Sequence, residues 1–261
     1  MHSPKYRSLS LVIALLVPVL AWSQSDSSTF HWSGKLAPDN VVEIKNLNGR
    51  IEAEPASGDQ VEVTAEKFGP DSDQVKVVAV PHSNGVTICA IYPGASESDC
   101  QYGPEWHTHE MHNNRTKVNF HVRMPDSVRF AAQSVNGEIR ADNMGKNIVA
   151  RTVNGSVSVS TKEWAEVSSV NGSVEARMGR ADWEGSLHIK TVNGSITLEL
   201  PNDLNAEVNF RSVNGRLNSD FPLTIQGSMG GRRMEGRIGN GGRQLVVETV
   251  NGSVELKKGT I

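Results

Sequence analysis

Apolar residues recur two apart through most of this chain, and the alternation slips by one residue at each of seven Asn-Gly pairs. Those pairs are Asn48-Gly49, Asn136-Gly137, Asn154-Gly155, Asn171-Gly172, Asn193-Gly194, Asn214-Gly215 and Asn251-Gly252. Six residues before each Asn stand Val42, Phe130, Ile148, Ala165, Leu187, Val208 and Leu245; four before it stand Ile44, Ala132, Ala150, Val167, Ile189, Phe210 and Val247. Three after it come Ile51, Ile139, Val157, Val174, Ile196, Leu217 and Val254, and five after it Ala53, Ala141, Val159, Ala176, Leu198, Ser219 and Leu256. A period of two marks a strand buried on one face, so each repeat predicts a strand, a corner and a second strand. The change of parity is assigned to the Gly, whose tolerance of positive φ lets the chain turn.

Between Asn136 and Asn214 the Asn residues are 18, 17, 22 and 21 apart, one turn of a two- or three-sided solenoid. The last interval is 37, about two turns, and MEGRIG (234–239) fits it as a degenerate copy with Glu235 at the Asn position. The expected fold is therefore an all-β, single-chain parallel β-solenoid of about eight coils, with Glu235 stacked between Asn214 and Asn251 or bulged toward water. The competing reading is a set of antiparallel hairpins, because Asn-Gly between alternating hydrophobics also signals a type I′ turn. Against it stand the near-uniform Asn column and the Ser/Thr column two before it (Ser134, Thr152, Ser169, Thr191, Ser212, Thr249), since stacked coils hydrogen-bond like side chains into ladders. The Asn amides are expected to satisfy corner groups that would otherwise be buried unpaired.

Residues 1–23 read as a secretory signal: Lys5 and Arg7, an apolar run from Leu11 to Trp22, and Ala21-Trp22-Ser23 as cleavage site. The run is too short to span a bilayer, and no transmembrane span is expected in the mature chain. Removing Lys5 and Arg7 from 26 basic residues leaves 24 against 29 acids, a net charge of −5, which argues against nucleic acid as a partner. Residues 24–130 carry the first coil and then longer strands without the Asn-Gly corner: VEVTAE (61–66), QVKVVAV (74–80), GVTICAIYP (85–93) and KVNFHVRMP (117–125). They are expected to extend and cap the solenoid, whose regular repeats fill 131–258 in one continuous elongated domain. Aromatics at 5% and 24 Gly fit a thin core.

Cys89 and Cys100, the only cysteines, are expected to form a disulfide in an exported chain. His107, His109 and His112, with Glu105 and Glu110, form a loop that could hold Zn²⁺, Cu²⁺ or Ni²⁺; the alternative is a solvated loop. An acid/base enzyme on the outer face would need carboxylates converging from neighbouring coils. The column six after the Asn reads Glu54, Asp142, Ser160, Arg177, Glu199, Asp220 and Lys257, in which Glu199 and Asp220 are the pair read as like charges on neighbouring coils, with no column of basic residues beside them. No enzyme and no cofactor is expected. Asn154, Asn171, Asn193 and Asn251 match the glycosylation sequon, but the same Asn recurs without the Ser, so the corner accounts for it.

The signal segment, the early Asn-Gly coil, the strand ending in YPG, the strand ending in MPDSV, the serial TVNGSI-type coils, SDFPL (219–223) and GRIGNGG (236–242) together resemble the bacterial putative-adhesin family, a domain of unknown function, over roughly residues 30–258. The resemblance implies an exported β-solenoid with adhesin-like architecture, in the periplasm or at the cell surface, and supplies no catalytic residues. The leading expectation for function is a non-catalytic envelope module offering a repetitive surface to glycan or protein. The alternative is an envelope metal-binding or stress-linked accessory protein using the His107/His109/His112 loop.

Overall fold

Two long sheets face each other across one apolar layer, and the chain passes between them at every Asn-Gly corner. The computed structural model describes residues 28–104, 114–230 and 233–259. Strand β1 (Thr29–Gly34) precedes the first coil, β2 (Val41–Asn48) and β3 (Ile51–Pro55). Four strands follow: β4 (Val61–Phe68), β5 (Lys76–His82), β6 (Gly85–Ile91) and β7 (Lys117–Met124). Four coils of two strands come next: β8 (Arg129–Asn136) with β9 (Ile139–Met144), β10 (Ile148–Asn154) with β11 (Val157–Thr161), β12 (Ala165–Ser168) with β13 (Val174–Met178), and β14 (Ser186–Lys190) with β15 (Ile196–Leu200). The Asn214 coil is β16 (Ala206–Arg211) with β17 (Leu217–Ser219), and the Asn251 coil is β20 (Arg243–Glu248) with β21 (Val254–Lys258); between them lie β18 (Thr224–Gly230) and β19 (Arg233–Ile238).

Each repeat pairs with its neighbours in parallel and in register, so that Ile139, Val157, Val174, Ile196 and Val254 form one buried file. Burying a side chain of this size contributes about 1.5–3 kcal/mol, and the file repeats it coil after coil. The parallel pairing across the corners, Asn154 with Asn136 and Asn171 with Asn154, excludes the hairpin reading. The solenoid is two-sided.

The coils do not stack in the order of the sequence. One sheet runs β1-β4-β7-β3-β9-β11-β13-β15-β21-β17 and the other β18-β19-β16-β20-β14-β12-β10-β8-β2-β6-β5. After the Asn193 coil the chain skips one place, builds β16 and β17, turns back through the antiparallel strands β18 and β19, and returns to lay β20 and β21 in the vacant place. The other end uses the same device: from the first coil the chain moves out through β4 and β5, then β6 and β7 pair in parallel with β2 and β3 to fill the place left open. GVTICAIYP and KVNFHVRMP therefore form a parallel coil without Asn-Gly rather than cap strands. The capping is done by antiparallel strands, β1, β4 and β5 at one end and β18 and β19 at the other. Such strands protect the open ends of a solenoid from edge pairing.

Eight parallel coils are present among the described residues, but the eighth is β6 with β7 and not the degenerate repeat around Glu235. Glu235 lies mid-strand in β19, opposite Asn209 of β16, with its side chain half exposed and accepting from Arg233 Nη2 at 2.7 Å. It is in no corner, neither stacked in the ladder nor bulged out of it. The spacing misleads because the chain crosses a parallel place and an antiparallel one in nearly the length of two ordinary coils.

Candidate functional site

The corner is built from five columns whose parts differ from the expectation. The Asn side chains form a continuous amide ladder: Nδ2 of Asn136 donates to Oδ1 of Asn48, Asn154 to Asn136, Asn171 to Asn154, Asn193 to Asn171, Asn251 to Asn193 and Asn214 to Asn251, all at 2.8 Å. Beyond the first coil these amides lie at the surface, so they do not shield buried groups. That task falls to the hydroxyl column behind them. Thr152, Ser169, Thr191 and Thr249 are buried and donate to the carbonyls of Gly137, Gly155, Gly172 and Gly194, at 2.8–3.1 Å. In the first coil Asn46 takes the hydroxyl's place, and its Nδ2 reaches the carbonyls of Gly49 and Val118.

The Gly column is required by closeness throughout and by conformation at two corners only. Gly49 has φ near 114° and Gly252 near 157°, whereas Gly137, Gly155, Gly172, Gly194 and Gly215 are not in the positive-φ region. A Cβ on Gly172 would lie 2.0 Å from the Gly155 carbonyl oxygen, and one on Gly194 would lie 2.1 Å from that of Gly172. Neighbouring backbones meet where a side chain would have to be.

In front of the ladder Val153, Val170, Val192, Val250 and Val213 point outward, each 37–47% exposed. On the far side of the corner stand Arg50, Glu138, Ser156, Ser173, Ser195, Ser253 and Arg216 in spatial order. Because the Asn251 coil is inserted beside the Asn193 coil, the four Val-Asn-Gly-Ser corners, at 153–156, 170–173, 192–195 and 250–253, are contiguous in space. Three parallel rows result, methyl, amide and hydroxyl, with roughly 4.8 Å between rungs. No residue of the four corners is charged; along the array charge enters at Glu138 and Arg50 on one side and Arg216 on the other, and across it at Arg151, Lys190 and Glu248 before the valines and at Glu175 and Glu255 after the serines. The grouping is invisible in the sequence, which places the Asn214 corner between two of its members.

The outer column at six after the Asn becomes Glu54, Asp142, Ser160, Arg177, Glu199, Lys257 and Asp220 in space. Lys257 separates Glu199 from Asp220, and Glu199 accepts from Arg177 Nε at 2.6 Å. Glu199 and Asp220 are therefore not neighbours, and from Arg177 onward the column alternates in charge; Glu54 and Asp142, on the neighbouring strands β3 and β9, are each paired with an arginine, Arg123 and Arg140.

A second cluster lies on the outer face of the β2, β6 and β8 strands, where alternation predicts exposure. The segment around 92–104 crosses that face, with Cys89 and Cys100 bonded at 1.96 Å and the Tyr102 ring stacked on His82. Beneath it Lys45 is fully buried and donates to the carbonyls of Gln101 at 2.6 Å and Gly103 at 2.8 Å. Glu43, 3.8 Å from Lys45, accepts from Thr87, Gln133 and the Gly103 amide. Burial pushes the Glu43 carboxyl up and the Lys45 ammonium down, and each partner opposes the other's shift. All these donors and acceptors are engaged within the chain, so the cluster fastens the crossing segment and offers no vacant ligand position. His107, His109 and His112 lie outside the described residues; among the described ones no group of three or more His, Cys, Asp and Glu could hold a metal ion. The signal segment also lies outside them, and among the described residues no helix is long and apolar enough to cross a membrane.

Residues 40–257 match the family described as Toastrack DUF4097. No curated protein matches the sequence. Among solved structures, the chain is similar to a putative cell adhesion protein from Clostridium sporogenes ATCC 15579, at 10% identity and a TM-score of 0.48, covering 88% of this chain and 99% of that one. It is also similar to a putative adhesin from Bacteroides fragilis NCTC 9343, at 12% identity and a TM-score of 0.38, covering 90% of this chain and 98% of that one.

Proposed function

The chain belongs to the Toastrack DUF4097 family, and on that footing we propose that it is an exported, non-catalytic adhesion module of the cell envelope that binds through its Val-Asn-Gly-Ser strip. The observation that carries the reading is the strip itself: four contiguous corners without charge, presenting exposed methyls beside amides and hydroxyls at a fixed repeat. Each ladder amide gives one N–H and one lone pair to its neighbours and keeps one of each. A neutral glycan, which has apolar C–H faces and hydroxyl edges, meets such rows without desolvating an ion, and a rigid ladder loses little freedom on binding. The disulfide and the N-terminal signal segment support export, and the net charge of −5 after its removal speaks against nucleic acid.

The chain provides its own fold-neutral test. Arg50 and Arg216 already occupy the position that Ser173 and Ser195 hold in the strip, so Ser173→Arg with Ser195→Arg should fold normally. Mature wild-type protein should sediment with envelope polysaccharide and the double variant should not, with unchanged unfolding midpoints. Equal sedimentation of the two would remove the strip from the account, and failure of the wild type to bind any envelope fraction would remove the adhesion reading.

A further inference from the structure

The seven corner Asn-Gly pairs are chemically alike, yet one differs in what holds its glycine. Gly49 N–H donates to the Asn136 carbonyl at 2.9 Å, Gly137 to that of Asn154 at 3.0 Å, Gly155 to Asn171 at 3.0 Å and Gly172 to Asn193 at 3.0 Å; Gly194 donates to Asn251 and Gly252 to Asn214, each at 3.0 Å. Each bond runs to the next coil along the array. Asn214 belongs to the last corner, so Gly215 has no following coil, and among the described residues its N–H has no hydrogen-bond partner. Both Asn214 and Gly215 are exposed. Two further Asn-Gly pairs lie outside the ladder: Gly241 N–H donates to the Ile238 carbonyl at 3.1 Å, and Gly85 is paired with His82 across the β5–β6 hairpin.

We propose that Asn214 is a site of spontaneous covalent modification, the one corner at which the amide is converted through a cyclic imide to aspartate and isoaspartate. In this reaction the deprotonated backbone nitrogen of the following residue attacks the Asn side-chain carbonyl carbon. The new N–Cγ bond forms as the Cγ–Nδ2 bond breaks, and ammonia leaves with the proton that the backbone nitrogen gave up. Water then opens the imide at either carbonyl, so the balance is one water consumed and one ammonia released, with no other reactant. Glycine removes the steric obstacle, and water is at hand on this surface. What controls the rate from corner to corner is the state of the glycine nitrogen. A nitrogen whose proton is held by a neighbouring carbonyl must first be released by local opening, and six corners carry that barrier.

The product is not silent. Asn214 Nδ2 now donates to Asn251 Oδ1 at 2.8 Å. A carboxylate there faces an acceptor with an acceptor, and the isoaspartyl form adds a methylene to the backbone between β16 and β17. The end rung of the ladder is lost while the strip, which ends at Asn251, is kept.

The test incubates the full mature protein at mildly alkaline pH, native and in concentrated urea, and quantifies aspartate and isoaspartate at every Asn-Gly by peptide mapping. In the native protein Asn214 should react roughly tenfold faster than any other corner, the factor set by one hydrogen bond that must open first. In urea the seven corners should converge, and Asn214→Gln should abolish the native signal. A native rate at Asn214 equal to that at Asn171 or Asn193, or no conversion at any corner under conditions where the urea sample reacts, would overturn the proposal.

Discussion

Three residues of two neighbouring corners separate what the sequence displays from what the packing requires. Gly172→Ala forces a methyl to within 2.0 Å of the Gly155 carbonyl oxygen, and because the obstacle is backbone the coils themselves must part. Overpacking of this kind costs about 1–3 kcal/mol or more. Thr191→Val keeps the shape but leaves the Gly172 carbonyl without its donor, a loss of about 1–3 kcal/mol for a buried group. Asn193→Ala breaks two ladder bonds at the surface, where water replaces them, and should cost no more than about 1 kcal/mol. The expected order in urea midpoint is therefore wild type, Asn193→Ala, Thr191→Val, Gly172→Ala, and an Asn193→Ala as damaging as Gly172→Ala would restore the ladder to the structural role that its uniformity suggests. The recurrence of Asn and Gly is plain in the sequence, but its cause is not. Local chain chemistry offers positive φ as the reason for a corner glycine, while the deciding contact comes from a backbone 17 to 88 residues away.

At the scale of elements, strand alternation gives the inward face of each coil and misjudges the outward face of β2. Glu43 and Lys45 occupy positions that water reaches in the coils from Asn154 onward. They are buried because the segment carrying Cys100, Gln101 and Gly103 folds over them, and nothing in the period of two foretells that cover. The cysteine pair hints at it, since a bridge to β6 must bring the segment back to this sheet. The buried pair makes a sharp prediction for stability. Lys45→Met leaves Glu43 buried without its counter-charge, and Glu43→Gln does the same to Lys45, each at a cost of about 3–5 kcal/mol. The double variant should recover most of that loss, because two apolar or neutral groups of similar volume need no compensation. Additive losses in a double-mutant cycle followed by chemical unfolding would show that the two charges are held by the crossing segment's carbonyls and amide rather than by each other.

For the whole molecule, the parallel solenoid and its approximate coil number are legible because they depend on period and count, whereas the spacing alone leaves two and three sides open. The order of the coils is not, because consecutive repeats with the same side chains can stack on either neighbour with the same contacts. What selects the interleaved order is the closure of the ends. At one end the Asn251 coil is held between two parallel neighbours, with β16 backed by the antiparallel β19 and β18; at the other, β6 and β7 each lie between a parallel strand of the first coil and an antiparallel cap strand. The strip proposed to bind depends on the interleaved order, since four uncharged corners are contiguous only if the Asn251 coil lies beside the Asn193 coil. Adjacent strands are about 4.8 Å apart and next-nearest strands about 10 Å, and a disulfide bridges Cα atoms no more than about 7 Å apart. Oxidation of a variant carrying Val192→Cys and Val250→Cys should thus give a complete intramolecular cross-link in the folded protein, whereas Val192→Cys with Val213→Cys should stay reduced; cross-linking of the second pair and not the first would contradict the interleaved order and the strip built on it.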